Sequence, residues 1–264
     1  MAPIDATAGA LLDGATISAM LYGVSCAQVV QYYLTFPGDS WRIKLMVATV
    51  WLMDTLQQGL LSHAAWFYAS RKCASLTVPG CEYWAWSVLG EAIPSIIAIS
   101  IVEGFYIMRI WHFGNRKSAM ILILPAFIAP TFLFVNFANP SFFVGGEHFT
   151  IAEWFTCIAA ASYAVTDIGI ASMLCYYLYT SRHLVSATSK SMINNLINYA
   201  IATGLLTSII MLTYLVTFVA LAGDMIFLAV YFVGTKVYVN SLLAALNNRE
   251  RLRSRHEYAS HVEF

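Results

Sequence analysis

Apolar residues run along the chain in seven long stretches separated by short polar breaks. They extend from Leu11 to Tyr33, Ile43 to Phe67, Tyr83 to Met108, Ala119 to Phe137, Thr150 to Tyr179, Met192 to Leu221 and Met225 to Asn247. Each has at least nearly the length that crosses a bilayer core as a helix, about 20 residues. The breaks carry turn and charge signals: FPGDS, SRKCASLTVPGCE, RIWHFGNRKS, NPSFFVGGEH, TSRHLVSATSKS and AGD. The pattern predicts an all-α, polytopic membrane protein, a seven-transmembrane-helix bundle over residues 1–247. A short basic tail follows over 248–264.

Composition sharpens this reading. Of 264 residues, 59% are hydrophobic and 11% charged. Soluble domains carry about 25% charged residues, so lipid is expected to solvate part of this surface. Basic and acidic residues balance at 14 each, which points to no charged partner and, with no nucleic-acid motif, to no nucleic acid. The segment before the first basic residue, Arg42, lacks the positive start of a cleaved leader, so the first span is expected to act as its own insertion signal.

The basic residues predict orientation. Arg42, Lys44, Arg109, Arg116, Lys117, Arg182, Lys190, Arg249, Arg251, Arg253 and Arg255 fall on one side, against Arg71 and Lys72 on the other. Positive residues collect in the cytosol, so the N-terminus is expected outside and the C-terminus cytosolic, in a plasma membrane or endomembrane. Trp41, Trp66, Trp84, Trp86, Trp111 and Trp154 fall near span ends, where amphipathic rings prefer the interface, while Trp51 is deep. Cys73 and Cys81 share an outside linker, where a disulfide can form; two free thiols are the alternative. No cysteine or histidine spacing suggests a metal, and no cofactor is expected.

Charges inside the spans are the candidate chemistry. Lys236 lies near the middle of the last span, while Asp54, Glu91, Glu103 and Asp167 lie in others. A lone charge at that depth is costly, so Lys236 is expected to pair, with Asp54 or Asp167 as partner, or to face a wet cavity. Four acids exceed one lysine, so some must be protonated, hydrated or bonded to amides. Asp54, Gln58 and Ser62 follow one another at four-residue spacing on one helical stripe, with Gln57 beside it. Glu91 precedes Pro94, whose missing N–H leaves a carbonyl free, and is expected to line a cavity. Glu103, near the cytosolic end, is expected to reach the interface. Asn194, Asn195 and Asn198 open the sixth span, with Thr203, Gly204 and Thr207 beyond, a pattern suited to close packing and interhelical hydrogen bonds. In the last span Lys236, Asn240 and Asn247 share a face, with Ala229 and Phe232 above.

Four segments carry a resemblance: WLMDTLQQGLLSHAAWFY, AVTDIGIASMLCYYL, INYAIATGLLTS and YFVGTKVYVNSLLAALNNR. Together they resemble a large seven-span membrane family of mushroom-type fungi (basidiomycetes), known as a domain of unknown function. The resemblance covers nearly the whole chain, implies a fungal integral membrane protein and implies no activity. Its motifs fall on Asp54, Asp167, Asn198, Thr203, Lys236, Tyr238, Asn240 and Ser241; Gln57 stands where the family pattern leads one to expect histidine.

Four functions fit these residues unequally. The favoured one is receptor-like binding of a small lipophilic or amphipathic molecule. Its site would be a cavity floored by Lys236, Asp54 and Asp167, with Glu91, Gln58, Asn198 and Asn240 around it. The alternatives are an intramembrane enzyme acting on a lipid-soluble, for example terpenoid, substrate through buried carboxylic acids, and a proton-coupled transporter, which lacks the expected inverted repeat. A retinal photoreceptor is disfavoured, because Phe232 stands one turn before Lys236 where microbial rhodopsins carry an aspartate.

Overall fold

Each apolar stretch forms one helix. The computed structural model describes residues 8–70, 85–113, 116–138, 151–181, 187–221 and 225–262, and side chains over 9–70, 85–112, 120–131, 154–177, 179–180, 203–221 and 225–248. The helices are α1 (Ala8–Thr35), α2 (Trp41–Ser70), α3 (Trp86–Phe113), α4 (Arg116–Ala138), α5 (Ile151–Ser181), α6 (Ala187–Ala220) and α7 (Ile226–Val262). No strand occurs among the described residues. Pro37 ends α1, since proline disfavours helix in the residue before it. Asp39 then closes the turn, its carboxylate accepting the Tyr32 hydroxyl at 2.9 Å. Pro94, Pro125 and Pro130 sit inside α3 and α4 without ending them. The final helix runs on through the polar tail to Val262, because that segment has no glycine or proline and carries four arginines and two glutamates, residues that favour helix.

Successive helices pack side by side from α1 to α7, and α7 returns to α1, closing the ring. Within it, α3 also reaches α5 and α7, and α7 also touches α2. Helix α7 is the enclosed element: none of its residues over 226–248 is exposed. At two seams the backbones approach so closely that only small residues fit. A Cβ added to Gly14 of α1 would lie 2.6 Å from the Ala229 Cα of α7, and one on Gly204 of α6 would lie 2.6 Å from the Ala171 Cβ of α5. Such small-residue contacts let helices associate where lipid offers no hydrophobic drive between them.

The burial pattern departs from that of a water-soluble protein. Lys236 is fully buried, while Leu34 is 76% exposed and Leu124 68% exposed. Large apolar side chains face outward on α1 to α6. Trp41, Trp66, Trp86 and Trp154 are also exposed. Exposed apolar surface on this scale marks contact with lipid or a partner.

Five helical segments are long and apolar enough to cross a membrane: Gly9–Thr35, Trp86–His112, Trp154–Tyr177, Thr203–Ala220 and Ile226–Asn248. They are compatible with a multi-pass membrane protein. Helix α2 falls short because it carries its polar residues inward: Asp54, Gln57 and Gln58 lie on its buried face, with Leu45, Leu52 and Leu56 outside. In α4 the apolar stretch with described side chains, Met120–Thr131, is too short to qualify.

Candidate functional site

Polar groups of α7 bond outward to the helices around it, and two clusters result. The first is built on Lys236. Its ammonium donates to the Asp54 carboxylate Oδ1 at 2.7 Å and to the Asp54 backbone carbonyl at 2.9 Å. It also lies 5.3 Å from the centre of the Tyr22 ring, a cation–π distance. Both side chains of the pair are fully buried. One turn along α2, Gln57 donates its amide to the Thr235 hydroxyl of α7. Glu91 of α3 lies near both Gln57 and Lys236 and accepts the Ser95 hydroxyl at 2.9 Å. Lys236 therefore already holds a carboxylate, a carbonyl and an aromatic face, and this cluster fastens α7 to α2.

The second cluster lies at the junction of α3, α5, α6 and α7. The Tyr238 hydroxyl donates to Asp167 Oδ2, with Thr207 of α6 within hydrogen-bonding reach of the same carboxylate. A cavity of about 30 Å³ opens there, its wall including Glu103, Tyr106, Asp167, Thr207, Tyr238 and Ser241. Glu103 is 2% exposed, and neither of its carboxylate oxygens has a hydrogen-bond partner among the described residues. Buried polar groups are nearly always bonded, so two orphan acceptors in one cavity wall call for an explanation.

Sequence reasoning and structure agree unevenly over these residues. Asp54, not Asp167, pairs with Lys236. Asp167 goes to Tyr238 instead, so the three residues expected to floor one cavity divide between two clusters, and only Asp167 lines the cavity. Glu91 is buried but is not among the lining residues. Glu103 does not reach the interface: α3 continues more than two turns beyond it, and its side chain turns in toward α5 and α7. Gln58 is buried, but Ser62, expected on the same stripe, is exposed, because a four-residue step drifts off the buried face of a 3.6-residue helix. Asn240 donates to the carbonyls of Leu21 and Lys236, and Asn247 to that of Gln28, so this face of α7 anchors α1. Asn198 falls in α6 with its side chain outside the described ones, and Cys73 and Cys81 lie outside the described residues.

Sequence reasoning missed Thr235, Ser95 and Tyr22, and gave Glu103 too little weight. A signal for Thr235 existed: the last span carries polar residues around its whole circumference, which only a helix enclosed on all sides can bury.

The model of a family of unknown function, DUF6534, matches residues 163–251. The match holds the α5, α6 and α7 walls of the cavity and Lys236, while Glu103 and Asp54 lie outside it. No curated protein and no solved structure matches the chain. The family brings no activity with it, so function rests on the geometry.

Proposed function

We propose that the protein is a seven-span membrane receptor-like module that binds a small amphipathic molecule in the cavity between α3, α5, α6 and α7. The carrying observation is the cavity wall itself: Glu103, buried without a hydrogen-bond partner among the described residues, beside Asp167. Val102, Ile170, Ala171 and Leu174 add hydrocarbon to the wall, so the site combines polar and apolar groups, the usual make-up of a small-molecule site. The Lys236–Asp54 pair is the framework that holds α7 in place beside it. All seven helices span, with residues 1–247 as the bundle, the N-terminus outside and the basic 248–264 segment in the cytosol. The excess of arginine and lysine on one set of connections supports that orientation.

Two experiments test this reading. Epitopes at the two termini are expected on opposite faces of the membrane, the C-terminal one reached from the cytosol and the N-terminal one only from the outer or lumenal face. Both termini on the same side would require an even number of spans and overturn the seven-span reading. For binding, wild-type protein purified in mild detergent is expected to carry a small molecule detectable by mass spectrometry. Ser241→Leu, which fills the cavity, is expected to lose it. Bilayer lipid alone in both proteins would contradict the site.

A further inference from the structure

We infer that the molecule bound at the α3–α5–α6–α7 cavity presents a primary ammonium group to Glu103 and Asp167. The inference rests on the cavity being a binding site, and it adds the chemistry of the ligand. Glu103 offers two carboxylate oxygens that accept no hydrogen bond among the described residues. Asp167 already takes the Tyr238 hydroxyl at one oxygen. The floor is thus rich in carboxyl oxygens, which a bound cation would hold in their ionised form. Lys236, the basic side chain buried among the described residues, is engaged with Asp54 and is not in the cavity wall.

What fits must donate several hydrogens, carry positive charge and be small. A primary ammonium has three N–H donors and no acceptor. Its bonds to carboxylates are charge-assisted and roughly twice as strong as neutral ones. The available space, about 30 Å³, agrees with a head of that size, since one water needs about 10–15 Å³. Tyr106 and Tyr238 also line the same wall. A carboxylate or phosphate head is opposed by both acids. An alcohol head supplies only one donor. The hydrocarbon of Val102, Ile170, Ala171 and Leu174 suits the first methylene next to the head.

Three probes of one chain length test the inference: octylamine, octanol and octanoate, each titrated into purified full-length protein in detergent. Thermal unfolding and calorimetry report binding, with Ser241→Leu as the blocked reference so that partition into micelles cancels. The expected order in wild type is octylamine well above octanol, with octanoate showing nothing above the reference. In Glu103→Gln, which keeps the shape and removes the charge, octylamine is expected to bind about tenfold more weakly or worse, the scale of one lost charged hydrogen bond. The order among probes is read in wild type alone, so it stands whether or not the variant folds. Octanol binding as tightly as octylamine, both lost in Ser241→Leu, would overturn the ammonium and leave the cavity as a site. Identical behaviour of wild type and Ser241→Leu toward all three would overturn both. A rise in stability on exchanging potassium for sodium, equal to that from octylamine, would make this an inorganic-cation site and overturn the amine.

Discussion

Replacing Lys236 with methionine is expected to destabilise the protein by about 3–5 kcal/mol, the range seen when one partner of a buried ion pair is removed. The loss is large because of what remains. Asp54 would keep a buried carboxylate whose Oδ2 has no hydrogen-bond partner among the described residues and whose Oδ1 would lose its own. Helices α2 and α7 would also lose one of their cross-links, since the same ammonium holds the Asp54 backbone carbonyl. Asp54→Leu alone should be similarly harmful, because it strands the ammonium. The double variant Lys236→Met with Asp54→Leu is expected to recover most of the stability, since replacing both partners by apolar groups leaves no uncompensated charge. Thermal unfolding of the four proteins in detergent gives the coupling directly. Strictly additive losses would show that the two side chains do not depend on each other.

Gly14→Val is the second large effect. The first atom of any side chain there would come 2.6 Å from the Cα and 2.8 Å from the Cβ of Ala229. The first of these is backbone and cannot swing aside, so α1 must move off α7. Overpacking of this kind costs about 1–3 kcal/mol and sometimes more. Here the upper end is expected, because the shift would also pull Asn240 and Asn247 from the α1 carbonyls they hold. Gly23→Val is the control on the same helix, where an added Cβ meets nothing within 4 Å. Equal unfolding temperatures for the two variants would contradict the close seam.

The seven helices were legible because hydrophobic length is a coarse and strong signal. Their depth in the bundle was not. A helix in water shows its inner face by amphipathicity, but here the outer surface and the core are both apolar, so helices such as α4 and α6 carry little contrast between faces. Only polar residues break that symmetry. They revealed α2, whose Asp54 and Gln58 point inward, and the engagement of Lys236 with Asp54 or Asp167, without choosing between them. The choice needs the ring order of the helices. That order sets α2 against the Lys236 face of α7 and brings Asp167 on α5 to Tyr238. Glu103 was underweighted for the same reason: its distance from the end of a span says nothing about which way it faces.

The division of labour between the Lys236–Asp54 pair and the Glu103–Asp167 cavity is tested most directly by one mass-spectrometric comparison of what co-purifies with three proteins. They are the wild type, the Lys236→Met, Asp54→Leu double variant, and Glu103→Gln. A cationic small molecule held by the first two and lost from the third is the predicted result. A molecule retained by Glu103→Gln and lost with the Lys236–Asp54 pair would contradict it and move the site to Lys236.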